Sequence, residues 1–387
     1  MIFEKIISRE NIWDKLSMPY KNNKISNGYI FFGNDGVGKE AYSIELAALL
    51  NCKRPLKDLR ACGSCRSCIS IKSFQHEDIH FIHALPSLKN KASSDGIKID
   101  SKTFEELNNN YKKKIKNPYH KIKLVNANTI SIASIREIKK SIHYSLDDSS
   151  VRVYLILQAE KLCHPNQESA NALLKILEEP PPNNLFILIT SDMSILLDTI
   201  LSRCIKIHFP NLDKTVIKNY LKNKDSNNSK IESISRISNG NIKEAITLLD
   251  NYSNKIKDIK IIINYLFEQN FNKIENIMYL FKDKNSSLNT LNYLNSFIRD
   301  LLILQRTDNY DMINFYDLTN MLSKINKKYK NVNWEDCILL NNNTQKYINN
   351  NGNISLMVKA FFIELKNAIN NRHYDITKVN HWLNYPN

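Results

Sequence analysis

Through the first two hundred residues, short apolar runs alternate with helical patterns. "GYIFFG" (28–33) reads as a buried strand running into a Gly-rich loop, and "KEAYSIELAALL" (39–50) as the helix that follows. "DIHFIH" (78–83), "VRVYLIL" (151–157) and "NLFILIT" (184–190) are further β-rich runs, and "SANALLKILEE" (169–179) is a helix stopped by prolines. Strands alternating with helices predict a parallel sheet covered on both faces. Residues 87–121, rich in Lys, Ser and Asn, read as an insertion or long loop. Strand character fades after "IKIHFP" (205–210). Residues 211–250 suggest a small helical unit. From about 255 onward apolar residues recur at helical spacing, in "IIINYLFEQ", "LNYLNSFIRDLLILQ" and "LMVKAFFIELKNAI". The Asn-rich stretches 283–290 and 341–353 read as loops between those helices. The expected division is an α/β domain over 1–210, a helical unit over 211–254 and an all-helical region over 255–387.

Composition narrows the class. A chain of 387 residues, 42% hydrophobic and 24% charged, can bury two or three cores. No run approaches the roughly eighteen apolar residues of a membrane span. The opening "MIFEKIISRENIWDKL" is amphipathic and lacks a signal-peptide core. The expectation is a cytoplasmic protein with no membrane partner. The net charge of +15 permits a nucleic-acid partner. Its lysines, however, are spread through Asn- and Ile-rich stretches, the residue types an AT-rich genome overproduces. A DNA-binding surface and a genomic bias both account for it.

The stretch "GNDGVGKE" (33–40) almost fits the phosphate-binding pattern G-x-x-x-x-G-K-[ST]. Gly33, Gly38 and Lys39 fit, and backbone N–H groups from Gly36 to Lys39 would cradle phosphates at the start of a helix. Glu40, however, stands where a hydroxyl would meet Mg²⁺. A P-loop ATPase also needs acids at the end of a neighbouring buried strand. Here "VRVYLIL" is followed by Gln158 and Ala159, and Glu160 falls one position too far and reads as a surface residue. Two independent defects, one in the loop and one at the strand end, thus agree, so ATP hydrolysis is not expected and ATP binding is doubtful.

Of seven cysteines, Cys52, Cys62, Cys65 and Cys68 cluster, the last three at C-x₂-C-x₂-C spacing. With no secretory signal, clustered thiols point to metal rather than disulfides. Four thiolates fit a closed, structural tetrahedral Zn²⁺ site within a module over about 52–75. The rival is an iron–sulfur cluster, whose usual fourth cysteine three residues on is replaced by Lys72. In "TILSRCIKIHFP" (199–210), Arg203 taken alone is a helix-end arginine and Cys204 a small buried residue.

"ESANALLKILEEPPPNNLFILIT" followed by "LLDTILSRC", together with the four-Cys insertion after the first helix, resembles the AAA+ clamp-loader subunits of bacterial DNA polymerase III over residues 1 to about 250. The resemblance implies a P-loop AAA+ domain with an inserted zinc module, a helical lid and a C-terminal helical collar used for oligomerisation. Motor subunits of that family (gamma and tau) keep a full P-loop and an Asp-Glu pair. The delta-prime branch commonly lacks both, yet keeps the zinc module and S-R-C. With Glu40, Gln158 and Ala159, this chain resembles the delta-prime branch, and Gly33, Gly36, Gly38 and Lys39 then form a degenerate nucleotide loop. The resemblance further implies that Arg203 acts in trans as an arginine finger. Lys243 falls where a motor would carry the arginine that senses its own nucleotide. The implied partners are gamma/tau motor subunits, a delta subunit, the sliding clamp and primed DNA, all within the polymerase III holoenzyme. Two alternatives remain: a gamma/tau-type ATPase motor of the same loader, and an unrelated zinc-containing nucleic-acid-binding protein.

Overall fold

The computed structural model describes residues 2–3, 6–22, 24–86, 99–144, 146, 150–267 and 274–370. Two units emerge, residues 1–213 with 241–243, and residues 214–240 with 244–387.

The first unit contains helices α1 (Glu10–Lys21), α2 (Lys39–Leu50), α3 (Arg66–Lys72), α4 (Ser101–Lys116), α5 (Ile132–Ser141), α6 (Glu168–Glu178) and α7 (Asp198–Arg203), and strands β1 (Gly28–Phe32), β2 (Ile79–Ile82), β3 (Arg152–Leu157), β4 (Asn184–Thr190) and β5 (Ile205–His208). The strands form one sheet in the order β2-β3-β4-β1-β5, and every pairing is parallel. As the unbroken apolar runs predicted, β3 and β4 are buried at every position and β1 at all but its last. Helices on both faces leave no polar face to the central strands. Trp13 and Phe209 each meet Tyr42 edge to face within this core, and Phe31 packs against Phe209 at a tilt. Glu45 of α2, wholly buried, accepts the backbone N–H groups of Ile2 and Phe3 at 2.9 Å each and so ties the N-terminal arm to the domain.

The second unit is helical among its described residues: α8 (Lys214–Lys222), α9 (Asn228–Ile237), α10 (Ile242–Phe267), α11 (Glu275–Met278), α12 (Lys284–Thr307), α13 (Thr319–Lys328), α14 (Trp334–Asn349) and α15 (Ile354–Ile369). Helix α14 packs against both α12 and α15. Leu291, Leu294, Phe297 and Leu301 of α12 are buried, as are Trp334, Phe361 and Phe362.

Two expectations fail. The 87–121 stretch is not a loop throughout. Residues 87–98 lie outside the described residues and 117–121 is non-helical, but α4 occupies 101–116, started by the Asp100 side chain accepting the Thr103 N–H at 3.0 Å. Its Leu107 and Lys114 face inward. The Asn-rich stretches are not loops either. α12 begins inside the first of them, behind a reciprocal cap between Asp283 and Ser286, and α14 continues to Asn349, leaving only 350–353 as a connection. Asparagine is a weak helix former, but here its amides find partners. Asn341 donates to the Leu291 carbonyl at 3.1 Å, and Asn295 donates to Asn342 at 3.1 Å.

Candidate functional site

The loop 33–40 leaves β1 at the carboxyl end of the sheet, where doubly wound folds bind ligands. Its glycines are needed by the backbone itself. Gly33 has φ +139°, and a Cβ there would lie 2.2 Å from the Phe209 carbonyl oxygen. At Gly36, with φ +74°, a Cβ would overlap the Asn241 side chain. The glycines fit this turn whether or not a phosphate is bound.

Lys39 does not reach outward. Its Nζ donates to the carbonyls of Gly33 at 2.5 Å and Asn34 at 2.7 Å, and burial pulls its pKa down to about 8. Glu40 is paired instead with Lys114 of α4, whose Nζ lies 2.6 Å from Oε2 and also donates to the His120 carbonyl at 2.7 Å. Lys114 is only 1% exposed; burial lowers its pKa while Glu40 opposes that shift. Lys121 holds Asp35, at the other end of the loop, at 2.7 Å. Burial alone would raise the Asp35 pKa, but Lys121, with Lys39 and Lys243 beyond it, outweighs that and keeps it below its ordinary value. Lys243 also lines the cavity, and burial, reinforced by Lys121, lowers its pKa. The water-accessible space among these groups is about 40 Å³, room for a few waters.

The strand-end positions behave differently from one another. Gln158 (φ +54°) is buried, and its side-chain amide donates to the Ile122 carbonyl at 2.9 Å, so it braces a neighbouring segment and offers no metal seat. Ala159 is buried with no polar side chain. Glu160 corrects the sequence reading: it is half-buried, lines the cavity and accepts the Thr190 hydroxyl at 2.7 Å. Sequence reasoning had also passed over Lys114, Lys121 and Thr190. None lies near the loop in the chain, and no local pattern marks them.

Arg203 is not among the residues lining this cavity. It ends α7, its side chain is 36% exposed, and it pairs with Glu178 at 2.9 Å while donating to the Thr199 carbonyl at 2.9 Å. Cys204 is buried against Gly28, where a Cβ would come within 2.8 Å of its Sγ.

The sulfurs of Cys52, Cys62, Cys65 and Cys68 all lie within 4.8 Å of one another, and those of Cys62 and Cys68 are 4.0 Å apart. A tetrahedral Zn²⁺ with Zn–S bonds near 2.3 Å sets its ligands about 3.8 Å apart. The donor set therefore fits such an ion with shifts of under about an ångström. Backbone N–H groups of Cys62 and Cys65 point at the sulfurs of Cys52 and Cys62, at 3.3 Å each. Backbone donors, led by the Ser64 N–H, lower the Cys62 pKa, whereas burial raises those of Cys52 and Cys68. A bound dication reverses such a burial penalty. All four thiols are free of disulfides, so this cluster can hold a metal.

A model of the family described as DNA polymerase III, delta subunit, matches residues 8–213, just over half of the 387-residue chain. The chain belongs to that family. The match ends where the first unit gives way to the helical one. The chain is also similar to DNA polymerase III subunit gamma of Buchnera aphidicola subsp. Schizaphis graminum, 30% identical over 254 residues that cover 64% of this chain and 57% of that protein. It is 27% identical to the tau/gamma subunit of Haemophilus influenzae over 254 residues, covering 64% of this chain and 30% of that one. The chain thus spans between about a third and three fifths of these relatives' length. A solved DNA polymerase III gamma subunit-related protein of Thermotoga maritima aligns at 15% identity and TM-score 0.39 over 92% of this chain and all of that one, too distant to add to what the sheet itself shows. Among the described residues, no helix is long and apolar enough to cross a membrane.

Proposed function

We propose that this chain is a non-motor, delta-prime-type subunit of the DNA polymerase III clamp loader. In this reading it joins gamma/tau-type motors and a delta subunit in a ring that places the sliding clamp on primed DNA. The observation that carries the reading is the pairing of Glu40 with Lys114. The position that would hold a metal-binding hydroxyl is a carboxylate already neutralised by the chain's own ammonium, and the strand-end amide of Gln158 is engaged elsewhere. Residues 1–210 would be the AAA+ domain, 211–254 its lid and 255–387 the collar. Zinc held by Cys52, Cys62, Cys65 and Cys68 would be structural, since four thiolates complete its shell and leave no position for substrate.

Arg203 would be the working group, supplied in trans to a neighbouring motor's ATP. Its guanidinium is half-exposed at the junction between α7 and β5 and is held by one carboxylate, which a phosphate could replace. A planar fork of donors suits phosphate oxygens in a way an ammonium does not. The test is clamp- and DNA-stimulated ATPase of a loader reconstituted with gamma/tau and delta subunits, with assembly checked by gel filtration. Arg203→Ala should assemble yet lower ATPase, and Arg203→Lys should be nearly as poor. Such fingers contribute about 10³–10⁵ in rate at one site, diluted here by the remaining sites. An Ala variant that assembles and hydrolyses ATP normally leaves Arg203 as a structural arginine.

One observation favours a second reading, a gamma/tau-type motor. Glu160 faces the cavity beside Lys39 and is hydrogen-bonded to Thr190, so a carboxylate is present there after all. ATP turnover by the chain alone would support that reading.

A further inference from the structure

Two cations from one segment hold the two acids of the nucleotide loop. Lys114, at the end of α4, meets Glu40 at 2.6 Å, and Lys121, seven residues on, meets Asp35 at 2.7 Å. Between them, Pro118 and Tyr119 line the cavity. A ring carbon of Tyr119 would lie 3.3 Å from a Cβ at Gly38, and the Tyr119 hydroxyl accepts the Ile7 N–H at 2.7 Å. The segment is thus braced on the loop on one side and on the N-terminal arm on the other. Underneath it, Lys39 has turned back onto the carbonyls of its own loop.

From this arrangement we propose that residues 114–121 are an intramolecular clasp over a nucleotide loop that is still formed, with the Lys114 ammonium standing in beside Glu40 for the metal ion that a nucleotide would bring. The proposal rests on the reading of this site as idle and adds the cause of its idleness. The loop keeps the turn, the helix start and the lysine that bind phosphates, and what excludes a nucleotide is the chain's own cation and the segment that carries it. A buried lysine needs its counter-charge, and a buried carboxylate needs the lysine. The pair therefore locks as a unit and cannot be opened by changing one side alone.

The consequence is a gain of binding without a gain of chemistry. Glu40→Ser with Lys114→Ala removes both charges together and opens the space that the lysine stem fills. Glu40→Gln with Lys114→Met removes the charges while keeping the volume, which guards against a collapse of the domain. Binding of Mg·ADP should be measured by calorimetry on the full chain, with folding checked by circular dichroism and thermal melting. A ligand site open in only a small fraction of molecules loses affinity by that fraction. The Ser/Ala variant should therefore bind Mg·ADP about tenfold tighter than the wild type, or more, and adding Lys39→Ala should abolish the gain. Neither variant should hydrolyse ATP. Folded variants of both kinds that bind Mg·ADP no better than wild type overturn the clasp and leave the non-motor reading intact. A wild-type chain that already binds Mg·ADP as tightly as the Ser/Ala variant overturns it too. ATP turnover by the wild type would instead count against the non-motor reading.

Discussion

Asp300, on α12, is wholly buried in the helical unit and accepts the backbone N–H groups of Asn314 at 2.8 Å and Phe315 at 2.8 Å. Burial raises its pKa from 3.8 to about 6, although those donors pull the other way. Between those values the folded chain holds a proton that the unfolded chain has released. The contribution of this group to stability is therefore greatest below about pH 4 and falls as pH rises toward 6, by at most about 3 kcal/mol. The urea stability of wild type minus that of Asp300→Asn should decline over that window and stay flat above about pH 7; a difference independent of pH contradicts the assignment. Asp300→Ala should be worse at every pH, because it orphans two buried donors at about 1–3 kcal/mol each. At this scale the sequence was uneven. Cys204 was legible as a small buried residue at the helix end before a strand. Lys114 was not, since it looks like any lysine of "YKKKIK" and its partner Glu40 lies 74 residues away. Glu160 was placed on the surface by counting from the strand, whereas the short helical turn after β3 swings it back to Thr190.

Among the elements, the sheet was the most readable, because strands buried on both faces must be continuously apolar, as β3 and β4 are. The helices built from asparagine were the least readable, because their stability comes from cross-helix amide contacts that no local pattern reveals. The cysteine module was legible as a metal-binding spacing, and its sulfurs do converge. Freshly purified protein should carry one zinc per chain by elemental analysis, and iron or no metal would contradict that assignment. Cys65→Ser should release the metal and expose residues 52–75 to protease. Amides of β1, β3 and β4 should keep their protection from hydrogen exchange, since those strands are buried through their own side chains. Loss of that protection would mean that the module supports the whole domain.

For the molecule as a whole, the delta-family match covers the α/β unit, and the helical unit extends beyond it. The net charge of +15 adds nothing decisive, because a lysine-rich surface attracts any polyanion and its effect fades with salt. In the non-motor reading proposed above, the features that would set this chain apart from a motor are local: Glu40 bound to Lys114 and Gln158 bound to Ile122. The most direct measurement is steady-state ATPase of the purified chain, alone and with Lys39→Ala as the control. The account predicts a rate no higher than the Lys39→Ala background, with Glu40→Thr unable to restore turnover because Lys114 and the strand-end amide remain. Turnover by the wild-type chain that disappears with Lys39→Ala would contradict it.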